Sequence, residues 1–118
     1  MSWFDARDTC ARLGGHLVTI EDQAENAFVS SLTPGEFWIG AIDPSDAGVD
    51  PANSCSTEAG TPRYEWVTGS SVEATFFAPG EPDLRDCAKC LIMGVDKGWH
   101  DRACNEPRWY SPYVCETD

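Results

Sequence analysis

The chain has 118 residues, 42% of them hydrophobic, with five tryptophans, and its 8 basic against 20 acidic side chains leave a net charge of −12. Such a length reads as one domain over residues 1–118, and such a composition can bury a modest core. The charge repels a nucleic-acid backbone or an anionic membrane and welcomes a divalent cation or a basic partner. No run approaches the ~18 consecutive apolar residues of a membrane span, so membrane insertion by this domain is not expected.

Residues 3–13 are predicted helical, because Trp3, Ala6, Cys10 and Leu13 recur on one face. Ser2 caps the start, and Gly14-Gly15 permits the left-handed stop. His16 to Ile20 reads as a strand. A second helix follows, capped by Asp22 with Glu25 three residues on. Its expected buried stripe is Ala24, Phe28, Val29 and Leu32, and Pro34-Gly35 ends it. Phe37 to Ile42 is a buried strand. Residues from about 43 to 89 are mainly a long loop, interrupted by a strand at Tyr64–Val67. Leu91–Met93, the neighbourhood of Trp99, and Tyr113–Cys115 supply the last strands. Two helices followed by short strands indicate an α+β fold with small antiparallel sheets. A loop of this length inside a small domain usually carries function. Residues 43–89 hold nine acids and three bases, against six and two before and five and three after, so the acidity is concentrated there.

Six cysteines stand at 10, 55, 87, 90, 104 and 115. An even count in a short chain indicates disulfides and an oxidising compartment. Met1-Ser2-Trp3 shows neither the basic start nor the apolar run of a signal peptide. The expectation is therefore an extracellular or cell-surface location, as a domain of a longer secreted protein. Buried free thiols are the plainer alternative.

Several fragments in order resemble the C-type lectin-like domain. These are Trp3-x-x-Ala6-x-x-x-Cys10, Gly14-Gly15-His16-Leu17-Val18-Thr19-Ile20, Phe37-Trp38-Ile39-Gly40 and Tyr64-Glu65-Trp66-x-x-Gly69. Pro79-Gly80-Glu81-Pro82-Asp83, Cys90-Leu91-Ile92-Met93, Trp99-His100-Asp101-x-x-Cys104 and Val114-Cys115-Glu116 follow. The family's opening strand, which would precede Trp3, has no counterpart in the sequence. The resemblance implies bridges Cys10–Cys115 and Cys90–Cys104, with Cys55–Cys87 as the remaining pair. Six cysteines allow 15 connectivities, so the count alone does not select this one.

The resemblance also implies a calcium site that binds carbohydrate, built on a turn with a cis proline at Pro82. Calcium takes six to eight oxygens, several from carboxylates. The expected metal ligands are Glu81, Asp83, Asp86 and Asp101, and the expected sugar contacts are Glu81, Asp83, His100 and Asp101. Two departures stand out. The family's motifs are Glu-Pro-Asn or Gln-Pro-Asp, and Glu81-Pro82-Asp83 is neither. The family's Trp-Asn-Asp is here Trp99-His100-Asp101. Both changes remove a side-chain amide that would donate to a sugar hydroxyl, and ionised Asp83 only accepts. Imidazole is a poor calcium ligand. Ala88 stands where the family usually carries an acid. A second calcium in the long loop would draw on Asp43, Asp46 and Asp50.

Cys87-x-x-Cys90 with His100-x-x-x-Cys104 has zinc-ligand types, but it strands the other three cysteines. Catalysis has little support: His16 and His100 are the only histidines, and no nucleophile pairs with them once the thiols are bridged. The serious rival is a calcium-independent protein-binding module, because fold does not dictate function. Trp109-Tyr110, between Pro107 and Pro112, is its candidate contact. Trp38, Trp66 and Trp99 are expected as core anchors, and His16 as a structural residue.

Overall fold

The computed structural model describes residues 2–32, 35–43, 64–73, 75–81, 88–104 and 112–117. Its elements are α1 (Trp3–Arg12), β1 (His16–Leu17), α2 (Gln23–Ser30), β2 (Phe37–Ile42), β3 (Glu65–Trp66), β4 (Ala88–Met93), β5 (Trp99–Ala103) and β6 (Cys115–Glu116). Four strands form an antiparallel sheet in the order β3-β2-β4-β5, and β1 pairs with β6 in a two-stranded sheet.

Both faces of the larger sheet are covered. Phe37, Ile39 and Ala41 of β2, with Leu91 and Met93 of β4 and Trp99 of β5, belong to one buried cluster. Trp38, Cys90 and Ile92 belong to a second, shared with Trp3, Ala6 and Cys10 of α1. Burial on both faces is why residues 37–42 read as an unbroken apolar run rather than an alternating one. The strand also sits against β1. A side chain at Gly40 would place its Cβ 2.8 Å from the Leu17 carbonyl oxygen, and Gly40 N–H donates to Val18 at 2.8 Å. Only glycine permits that approach.

α1 forms as its spacing predicts. The Ser2 hydroxyl accepts from Asp5 N–H at 3.0 Å, capping the first turn. Trp3, Ala6 and Cys10 are buried, and the Trp3 indole N–H donates to the Ile39 carbonyl at 2.8 Å. Leu13 departs from the expected stripe. It occupies the C-cap, where the chain turns into Gly14 at φ +87°, and it is 70% exposed.

α2 departs further. Asp22 caps it as expected, accepting from Glu25 N–H at 2.7 Å. Its buried residues, however, are Asn26, Val29 and Ser30, while Ala24, Phe28 and Leu32 face solvent. The helix also ends at Ser30, before Pro34-Gly35. The physical reason is Trp99. Its fully buried indole N–H needs an acceptor, and Asn26 Oδ1 supplies one at 2.8 Å. Satisfying that donor rotates the polar residue inward and leaves Phe28 outside.

Two bridges tie the ends together. Cys10–Cys115 links α1 to β6 across 105 residues, and Cys90–Cys104 links β4 to the end of β5. The second bridge removes the zinc reading, since sulfurs joined as cystine are not thiolate ligands. The Cys55–Cys87 expectation lies outside the described residues, as do Asp46, Asp50, the Pro82 peptide bond and Trp109-Tyr110.

Candidate functional site

The site is assembled by two turns that converge on β5. The first is Ala78-Pro79-Gly80-Glu81. Glu81 N–H donates to the Ala78 carbonyl at 3.0 Å, and Gly80 has φ +83°. Proline second and a positive-φ glycine third are the signature of a type II turn. This segment is laid along β5. Trp99 N–H donates to Phe76 at 2.9 Å, and Ala78 N–H donates to Trp99 at 3.1 Å. The fit is close enough that a Cβ at Gly98 would lie 2.8 Å from Ala78 backbone atoms.

That docking brings Glu81 to the residue after Trp99. Glu81 Oε1 lies 3.2 Å from His100 Nδ1, across 19 positions of sequence. Both side chains are largely enclosed, 13% and 21% exposed respectively. Enclosure matters here, because a charge pair shielded from water interacts more strongly than one on an open surface.

The second turn joins β4 to β5. Gly94 N–H donates to the Gly98 carbonyl at 2.8 Å, and Lys97 takes a left-handed φ of 67°. Asp96 Oδ1 accepts from Gly98 N–H at 3.0 Å and stands 3.1 Å from His100 Nε2. The Gly98 hydrogen bond, and then His100, hold the Asp96 carboxyl below the usual carboxylate range. The imidazole of His100 therefore has a carboxylate at each nitrogen. A neutral ring donates from one nitrogen only, whereas a protonated ring donates to both.

Asp101 takes the other side of the strand. β5 alternates in burial, and Trp99, Asp101 and Ala103 share its buried face. Asp101 is 2% exposed and pairs in register with Leu91. The geometry thus joins Glu81 to His100 directly and sets Asp101 beside them in sequence, on the opposite face. Asp83 and Asp86 lie outside the described residues. Among the described residues, no group of three or more His, Cys, Asp or Glu side chains is arranged to hold a metal ion. Asp43, the described member of the second candidate calcium group, is buried and lies 3.8 Å from Lys89 Nζ. Asp96 was not among the residues singled out from the sequence. Its only signal was an Asp-x-Gly spacing in the turn before Trp99.

The chain matches the family model described as Lectin C-type domain over residues 1–117. It is 32% identical to the hepatic lectin of Gallus gallus, over 98% of this chain and 50% of that protein. It is 29% identical to a type-2 ice-structuring protein of Hemitripterus americanus, over 88% of this chain and 56% of that protein. It thus spans about half the length of these curated relatives. A calcium-independent type II antifreeze protein superposes with TM-score 0.73 at 25% identity, covering 98% of this chain and 77% of that one. The mouse scavenger receptor C-type lectin carbohydrate-recognition domain superposes with TM-score 0.76 at 23% identity, covering 99% and 82%, and shows the shared fold.

Proposed function

The chain belongs to the C-type lectin domain family, and from that membership we propose that it is a non-catalytic, extracellular module that binds carbohydrate at the Glu81–His100 edge of the larger sheet. The observation that carries this reading is the 3.2 Å approach of Glu81 to His100, which unites two motifs distant in sequence. Ionised Glu81 accepts a hydrogen from a sugar hydroxyl, and His100, held between Glu81 and Asp96, orients that carboxylate.

Calcium fits the donor set by chemistry. Glu81, Asp83 and Asp86 are carboxylates, the hard oxygen ligands that the ion prefers, whereas Asp101 sits on the buried face of β5 opposite His100, and His100 is left to hydrogen bonding. Bound there, the ion would supply a positive centre for two adjacent hydroxyls. Glu81 orients the edge, and the Asp96–His100 contact fixes the ring.

One feature favours a second reading, calcium-independent binding of a protein ligand. His100 stands between two carboxylates, so Glu81 already has a cationic partner whenever the ring is protonated. The family resemblance to a calcium-independent antifreeze protein is compatible with that arrangement.

Calcium titration followed by thermal melting separates the two. Under the first reading the melting temperature rises with calcium by mass action, and EDTA elutes the protein from an immobilised-sugar column. Glu81→Gln abolishes the calcium-dependent rise. A melting temperature indifferent to calcium, with no retention on any sugar, overturns the first reading and leaves the second. Among the described residues no helix is long and apolar enough to cross a membrane.

A further inference from the structure

A cleft of about 410 Å³ is lined by Ile20, Glu21, Trp66, Ser70, Ser71 and Glu73, none of which belongs to the Glu81–His100 pair. Its size falls in the range of small-ligand sites. One wall is the approach to α2. The other is the hairpin of β3, held by Trp66 N–H to Ser70 and Gly69 N–H to Trp66, both at 2.8 Å, and by Val72 N–H to Tyr64 at 3.1 Å. Hairpin and approach are both rooted in the core, so the two walls are set by the fold.

The lining is sorted by depth. Ile20 and Trp66 are buried, at 1% and 5% exposure, and form an apolar floor. Glu21, Ser70, Ser71 and Glu73 are exposed and form the rim. Among the described residues no cationic side chain lines the cleft. The surroundings add to the negative field. Burial raises the Glu25 carboxyl above its ordinary range, and repulsion from Glu21, Glu116 and Asp22 raises it further. An occupant that matches this arrangement has an aliphatic body, a compact positive end and several hydrogen-bond donors.

We propose that this cleft binds a lysine side chain of a basic polypeptide. The ammonium group donates to the carboxylates of Glu21 and Glu73 and to the serine hydroxyls, since it carries three donors and no acceptor. The methylene stem lies over Ile20 and the edge of Trp66, as long basic side chains do on apolar surface. Nothing in this site draws on calcium, so it operates beside the carbohydrate edge and independently of it.

The test is an NMR titration of the whole chain, in EDTA, with an end-blocked Gly-Lys-Gly peptide and with the same peptide acetylated on the lysine Nε. The expected result is saturable shifts at Ser70, Ser71, Glu73 and the Trp66 indole for the free lysine, and none for the acetylated form. The paired variant Glu21→Gln/Glu73→Gln weakens binding by about tenfold or more. Asp5→Asn/Asp8→Asn, an equal change of charge on exposed positions of α1, leaves affinity within about twofold. Equal weakening by both pairs would reduce the effect to general charge attraction and overturn the proposal. Binding of the acetylated peptide, or shifts confined to other surfaces, would overturn it too. Because EDTA is present throughout, failure of the sugar reading and failure of this one are distinguishable.

Discussion

The half of the molecule around α1, β1 and β6 and the edge around Glu81 and His100 are stabilised in different ways. The first combines a buried tryptophan, a capped helix, strand pairing and the Cys10–Cys115 bridge. The second rests on three polar side chains, Glu81 and Asp96 from two turns and His100 from β5. Losing one contact in the first lowers the stability of the whole domain. Losing one in the second changes which groups the proposed binding edge presents. The contrast teaches that stability and the proposed binding edge rest on different residues, which lets the edge vary while the frame persists.

The largest expected effect comes from attacking the frame. Cys10→Ala/Cys115→Ala opens a loop of 105 residues, and in the chain-entropy model that costs about 4–5 kcal/mol. Thermal melting should show a loss of most of the domain's stability. A small change would mean that the frame does not depend on this bridge, and would weaken the contrast.

Trp99 tests the boundary between the regions, since it anchors the core while its neighbour His100 belongs to the proposed binding edge. Asn26→Ala leaves the buried indole N–H without its acceptor and should cost about 1–3 kcal/mol in urea denaturation. Trp99→Phe removes the donor along with ring volume and should cost at least as much. In a double-mutant cycle the two losses should be markedly non-additive. Simple additivity would show that the bond does not couple α2 to β5.

The smallest effect is electrostatic. The folded state raises the Glu25 pKa, so it binds that proton more readily than the unfolded chain does. Ionising Glu25 therefore costs stability as pH rises through the window between its unfolded and folded values. Glu25→Gln should raise the melting temperature at pH 7 by about 1–2 °C. The gain should vanish below about pH 4, where both states hold the proton. A gain that persists in acid would place its origin outside this carboxylate.

Much of the frame was legible because its signals are local or repetitive. Trp3, Ala6 and Cys10 sit at helical spacing, Ser2 and Asp22 precede helices, and residues 37–42 form an unbroken apolar strand; all occupy the expected places. The pairings Cys10–Cys115 and Cys90–Cys104 came from the family resemblance and are present. α2 is the exception, because apolar character does not set which of its faces is buried. The decisive need was one acceptor for Trp99, a residue 73 positions away from Asn26. Asp96 is not legible in the sequence for a similar reason. Its role depends on a turn that folds it back onto His100, four residues later.

What the sequence determined by itself is the order of elements, their caps and their core strands, since these follow from periodicity and turn chemistry along neighbouring residues. The tertiary structure alone decided which face of α2 is buried, that Glu81 and Asp96 meet the two nitrogens of one imidazole, and that Ile20 and Trp66 floor an acidic cleft. Those arrangements join residues far apart in the chain. Hydrogen bonding and charge act over a few ångströms of space, whatever the distance in sequence.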